Sequence, residues 1–381
     1  MTIERIQLHL PERALTLSAL VAGQSGPLVV LCHGFPGLSY SYRHQLPVLA
    51  AAGYRAVALD MKGYGQSDRP LALEAYQARV LSDDLVAVLD HLGAERAVFV
   101  GHDFGAKAAF GVALHHPDRV AGVVSLAVPY GVQFAGARDD NAAGAKTPKD
   151  SQGAQNAPNA KNVQSAANAG SPASEGSAPT LEKKRGKRPS EGYAAIAKRH
   201  FFHMHYFQTV GPAEAELGGR PREFLTRLHW ALSGRGKLLD WTRFPAEGTG
   251  YLDVLEPAPP LPWSWLTEAD LDHYVSEYTR GPLAAHFIGG LSSYRVTDLD
   301  WEHDPDYGRE PLDCPALFVC GEHDPVLKIV TPESISGMTR RLPQLRGSCI
   351  IPGVGHFVQQ EAPAETNAAL LDFLRAVYPA S

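Results

Sequence analysis

No apolar run in the 381 residues approaches 18 in length, so nothing in the sequence predicts a helix spanning a membrane. Cysteine is scarce: four residues, at 32, 314, 320 and 349, without regular spacing. Three of them lie in or beside apolar runs, which argues for small buried hydrophobes in a reducing compartment and against a disulfide frame. Positive charge is not in excess. The 35 Lys and Arg against 41 Asp and Glu leave a net charge of −6, so no basic footprint suggests nucleic acid as a partner. The N-terminus, MTIERIQLHLPERALTLSAL, scatters its charges and lacks the basic start and apolar block of a secretory leader. These absences together predict a cytoplasmic protein with neither membrane nor nucleic acid as partner.

Aromatic residues are missing from one internal stretch. Residues 136 to 190 contain no Phe, Tyr or Trp and are dominated by Ala, Ser, Asn, Gly, Pro and Lys. Such a segment cannot bury enough apolar area to offset its ordering entropy, so it is expected to be a disordered, low-complexity insert. Its basic run at 183 to 188 reads as the solvated end of a flexible loop.

Elsewhere, short apolar runs alternate with helix-like segments, the pattern of a parallel sheet built from βα units. Strands are predicted at 27–33, 54–60, 96–101, 120–128, 315–321 and 348–353. Helical spacing marks Tyr40–Ala52, Glu74–Leu92, Phe104–His116 and Ala364–Val377. Residues 1–135 and 306–381 are thus expected to form two parts of one α/β core, with 191–305 as a helical, aromatic cap between them. Within the cap, His200, His203 and His205 are spaced as metal ligands can be, but no carboxylate or Cys completes a set. Polar positions on an aromatic helix explain them better; no metal or cofactor is expected.

The sharpest signal is VFVGHDFGAKAAF, residues 98 to 110. A strand, Gly-x-Asp-x-Gly and a helix make a nucleophile elbow with Asp103 at its apex, where Gly101 and Gly105 allow the tight turn. Asp is also a good helix N-cap, so Asp103 could simply cap the helix that follows. Its companions favour chemistry. The loop LCHGFPG (31–37), with His33 and Pro36, can lend the Phe35 amide to an oxyanion hole beside the amide of Phe104. GEHDPV and GVGHFVQQEAP follow successive strands and supply Asp324 and His356. The chain order nucleophile, acid, histidine is one that a triad on this fold uses.

A carboxylate needs no deprotonation before it attacks a saturated carbon that carries a leaving group. The product is an alkyl ester, which His356, oriented by Asp324, can then hydrolyse by activating water. Epoxides and alkyl halides fit this scheme. An epoxide expels an alkoxide that needs a proton donor, and Tyr206 and Tyr294 are candidates, though each could equally be a packing residue. A halide is commonly received by a Trp N–H beside the nucleophile, where this chain has Phe104. Trp230, Phe244, Trp263 and Phe357 are candidate pocket residues.

The combination resembles the soluble epoxide hydrolases of the α/β-hydrolase superfamily. Residues 33–70 resemble their oxyanion-loop block, GHDFGA their nucleophile, HYFQTVGPAEAEL and GGLSSYR their two cap tyrosines, and GEHDPV and GVGHFVQQEAP their acid and base blocks. The resemblance implies an α/β-hydrolase fold with an inserted cap. It further implies catalysis by Asp103, Asp324 and His356, proton donation by Tyr206 and Tyr294, and a small-molecule epoxide and water as reactants. Haloalkane or haloacid dehalogenation with the same nucleophile is the nearest alternative, and a non-catalytic binding protein the next. The departures are Phe104 where Trp is common, and Lys107 where a small or apolar residue is usual.

Overall fold

The computed structural model describes residues 2–131, 187–329 and 337–380. Eight strands form one sheet in the order β1-β2-β4-β3-β5-β6-β7-β8. Six of them are β3 (Leu28–Cys32), β4 (Arg55–Leu59), β5 (Ala97–His102), β6 (Val120–Leu126), β7 (Ala316–Gly321) and β8 (Leu345–Ile351). All their mutual pairings are parallel. Four of these strands are fully buried, as continuous apolar runs between two helical layers should be. Alternate residues feed opposite faces: Val30, Cys32 and Phe99 enter one core, and Val29, Leu31 and Val98 the other. Helices α2 (Ala78–His91) and α3 (Phe104–His115) cover the first face. Helix α1 (Leu46–Ala51) and the C-terminal helix Pro363–Val377 cover the second.

Two strands escaped the sequence reading. β1 (Glu4–Leu10) and β2 (Leu15–Ala22) pair antiparallel, and β2 joins the sheet antiparallel to β4. β1 turns only Leu8 and Leu10 fully inward, so it carries no apolar run of the kind that marked the others. β8 begins three residues before expectation for a similar reason: as an edge strand it alternates half-buried and exposed residues and only ends apolar.

Between β6 and β7 lie the helices α4 (Pro189–Ala197), α5 (His203–Tyr206), α6 (Pro212–Gly219), α7 (Pro221–Leu232), α8 (Glu268–Tyr278), α9 (Ile288–Arg295) and α10 (Thr297–His303). The insert expected at 136–190 falls on residues outside those described, apart from its last four, of which Pro189 and Ser190 already open α4. Three core cations tie the cap down. Arg43 bonds Gln360 at 2.6 Å and the Trp265 carbonyl at 3.1 Å. Arg69 donates to the carbonyls of Glu277, Tyr278, Arg280 and Ala285. Lys107 pairs with Asp300 of α10, which also receives the Ala78 amide at 2.8 Å. This accounts for a lysine at a position where an apolar residue was expected.

Because the six strands run parallel, the loops after β3, β5, β7 and β8 emerge along one edge of the sheet. That edge holds the loop 33–37, Asp103, Asp324 and His356.

Candidate active site

Asp103 joins β5 to α3 with φ 53° and ψ −121°. Such a conformation costs a non-glycine residue on the order of 1–3 kcal/mol and is kept where it serves a site. The turn is tight because residue 105 is glycine: a Cβ there would lie 2.0 Å from the Cys32 carbonyl oxygen. The Asp103 side chain makes no capping bond to α3. Its Oδ1 instead accepts the Phe35 amide at 2.8 Å, and the Phe104 amide helps to hold its pKa down.

Oδ2 of Asp103 is the oxygen nearest His356, 3.8 Å from Nε2. On the other side of the ring, Nδ1 lies 3.1 and 3.2 Å from the two oxygens of Asp324. The Asp103 side chain keeps 17% of its surface accessible. Burial raises the Asp103 pKa, against the pull of His356 and of the two amides. Burial alone would lower that of His356, but Asp324 and then Asp103 outweigh it and push the pKa up to about 9.

The histidine loop is braced by Glu361, whose carboxylate accepts the amides of Gly234, Gly355 and Phe357 at 2.7, 3.2 and 3.0 Å. The His356 amide donates to Leu232 of α7, at 2.9 Å. His33 braces the other loop. Its Nδ1 meets the Gly34 carbonyl at 2.8 Å and its Nε2 the Met61 amide at 3.0 Å, so neither nitrogen is free for a substrate. Burial drops its pKa to about 4, which keeps the ring neutral. Pro36 follows Phe35 across a cis peptide bond in the same loop.

The two cap tyrosines part company. Tyr294 packs edge-on against the Phe104 ring at 4.9 Å and against the Phe35 ring at 6.4 Å. Its approach depends on Gly290, where a Cβ would come within 2.2 Å of the Phe35 ring. Arg295 fixes α9 from behind by a buried ion pair with Glu214 at 2.6 Å and a bond to the Phe207 carbonyl at 2.7 Å. Burial and then nearby Tyr251 and Asp103 raise the Tyr294 pKa well above the usual phenol range, so it stays protonated.

The Tyr206 hydroxyl donates to Glu216 at 2.7 Å, and the same carboxylate accepts the amides of Tyr251 and Leu252 at 2.9 and 3.0 Å. The sequence did not reveal this bond, since the partner arrives from ten residues away.

Of the other pocket candidates, Phe357 packs against His356 at 5.2 Å. Trp230 and Trp263 pair with each other at 5.1 Å, and Trp265 links them to Phe357. Phe244 makes no ring contact with the site among the described residues, and its carbonyl receives the Phe201 amide at 2.7 Å. The rings that contact Phe35 or Phe104 are instead Phe224, Tyr278, Phe287 and Tyr294 among the described residues. His200 bonds the Phe201 carbonyl, His203 is buried and His205 is exposed, so the three do not face a common point. No group of three or more His, Cys, Asp or Glu residues is placed to hold a metal among the described residues.

The parallel sheet, the elbow and the three loop residues define a hydrolase of the α/β fold, and residues 27–210 match the family model described as alpha/beta hydrolase fold. The chain is 37% identical over 364 residues to epoxide hydrolase A of Mycobacterium tuberculosis, covering 94% of each protein. It is also 37% identical to epoxide hydrolase B of that organism, covering 93% of each. It superposes on the crystal structure of epoxide hydrolase A from Mycobacterium thermoresistibile with TM-score 0.76 at 35% identity, covering 99% of this chain and 100% of that one. An epoxide hydrolase from an endophytic Streptomyces gives TM-score 0.77 at 33% identity, covering 98% and 96%. The chain belongs to the epoxide hydrolase family.

Proposed function

We propose that the protein hydrolyses epoxides to vicinal diols through an alkyl ester on Asp103. The observation that carries this reading is the division of labour between the two Asp103 oxygens. Oδ1 is held by the Phe35 amide, while Oδ2 faces His356. Oδ2 attacks an epoxide carbon, the ring C–O bond breaks, and the alkoxide takes a proton from a cap hydroxyl, Tyr294 in this reading. The ester carbonyl is then Oδ1, already in the oxyanion hole, so attack of water on Cγ builds charge where the donors already point.

His356 suits the second step better than the first. While Asp103 is charged, two carboxylates hold the imidazole pKa up at about 9. Esterification removes one of those charges, the pKa falls, and the neutral ring can take a proton from water. Asp324 keeps the ring oriented throughout.

The Phe104 side chain presents no N–H to a halide, and Tyr294 packs against its ring, so nothing favours dehalogenation. Four unpaired cysteines agree with a cytoplasmic location. Incubating the protein with aryl and alkyl epoxides beside chloroalkanes tests the proposal. Diol formation without halide release is expected. Halide release without diol would replace the reading by dehalogenation.

A further inference from the structure

The base loop and the cap meet at one carboxylate. Glu361 accepts the amides of Gly355 and Phe357, one on each side of His356, and its Oε2 also takes the amide of Gly234 from the cap. Gly234 lies two residues beyond the end of α7. Its carbonyl faces Nδ1 of His323 at 3.0 Å, one residue before the acid Asp324. With the His356 amide on the Leu232 carbonyl, residues 232–234 are bonded to the loops that carry both the acid and the base. The two backbones can come this close because both sides are glycine. A Cβ on Gly234 would lie 2.2 Å from the Gly353 oxygen, and one on Gly355 would lie 2.3 Å from the Gly234 nitrogen.

Glu361 does not serve to balance a cation. Its hydrogen-bond partners among the described residues are the three backbone amides, and it forms no ion pair there. A carboxylate offers two accepting oxygens to these donors, whereas a carboxamide has one and turns an NH₂ toward the rest. The two steps of the reaction depend unequally on such a clamp. Asp103 attacks as an anion and needs no base. Water attacks the ester only with Nε2 of His356 aligned to take its proton. That ring is placed by the peptides 355–357 and by Asp324 on Nδ1.

We propose that Glu361 is a positioning residue for ester hydrolysis, joining the cap at Gly234 to the two peptides that flank His356, so that alignment of the base depends on the docked cap. The inference rests on the Asp103-ester reading above. Glu361 exchanges no bond and no proton with the substrate. It acts through the ring that takes the water proton. The groups that face this ring are the carboxylates of Asp103, Asp324 and Glu361 and the imidazoles of His102 and His229. Burial keeps both of those imidazoles neutral. Glu361 is thus one of three charges that support the imidazolium.

The test uses the full chain, unchanged or carrying Glu361→Gln, His323→Ala, Thr366→Val or His356→Gln singly, in excess over styrene oxide. The rise and decay of adduct mass on the Asp103 peptide separate the two steps. A misplacement of about 1 Å can cost about 10²-fold in rate. Glu361→Gln is therefore expected to slow ester decay about 10–100-fold and to leave ester formation within about threefold. His323 is exposed, and His323→Ala, which frees the Gly234 carbonyl, should slow the same step about threefold or more. Thr366 bonds the Val358 carbonyl at 2.9 Å without touching the peptides around His356, so Thr366→Val should change neither step. The pH midpoint of decay is a second readout. Losing the Glu361 charge lets the ring become neutral at lower pH, so the midpoint should move down in Glu361→Gln and stay in Thr366→Val. Unchanged decay in Glu361→Gln, or formation and decay slowed alike with an unmoved midpoint, would make Glu361 a loop fastener and overturn the proposal. Slow decay in Glu361→Gln beside an unaffected His323→Ala would overturn the part given to the cap. If no Asp103 adduct forms even in His356→Gln, the ester reading itself fails and takes the proposal with it.

Discussion

His356 lies between two carboxylates, 3.1 Å from one and 3.8 Å from the other. Its pKa is raised to about 9 in the resting protein, so the imidazolium persists at neutral pH and is lost only as pH rises through that value. Ester hydrolysis requires the neutral ring. The decay of a preformed Asp103 ester should therefore increase with pH through a midpoint clearly below 9, because the Asp103 charge is then absent. Single-turnover decay measured across pH 6 to 10 checks this; a midpoint at or above 9 would show that the Asp103 charge does not support the imidazolium. At the same scale, Asp103, Asp324 and His356 were legible because their chain order and strand-end positions are local signals. The bond between Tyr206 and Glu216 was not legible, because that contact is made by folding.

At the scale of elements, the elbow was readable from Gly-x-Asp-x-Gly after an apolar strand, whereas the approach of α9 was not. That helix reaches the oxyanion loop because Gly290 has no Cβ to meet Phe35. Replacing it, Gly290→Ala, should improve the helix itself by roughly 0.5–1 kcal/mol in intrinsic propensity and yet displace Tyr294 from the site. Epoxide turnover should fall tenfold or more while the circular dichroism spectrum stays unchanged. Turnover within twofold of the parent would mean that Phe35 yields and the register of α9 is not critical. Strand β1 was missed since it lacks the buried apolar run that identified the parallel strands. It lies at the far edge of the sheet, so the site did not depend on it.

At the scale of the whole molecule, cap and core are held together by a few directed cations on an otherwise aromatic contact. Arg69 alone donates to four cap carbonyls and to Gly65 of its own loop. Its planar fork suits this task and an ammonium does not. Arg69→Lys should therefore behave much as Arg69→Ala, each costing about 3 kcal/mol given hydrogen bonds to a charged donor of about 1.5–3 kcal/mol apiece, partly recovered by water. Chemical denaturation measures this, and a lysine variant as stable as the parent would show that charge alone suffices. Removing residues 139–188, which contain no aromatic side chain, should shift the same denaturation midpoint very little. A large drop would show that the segment packs against the rest of the chain.

The central claim is that Asp103 itself supplies the oxygen that opens the epoxide. One turnover with the protein in excess over an epoxide, run in ¹⁸O-labelled water, tests it most directly. Water that only replenishes the carboxylate cannot reach the product in that first cycle. The account predicts unlabelled diol and one ¹⁸O in the peptide that carries Asp103. Labelled diol with an unlabelled Asp103 would show that water attacks the epoxide directly, and would contradict it.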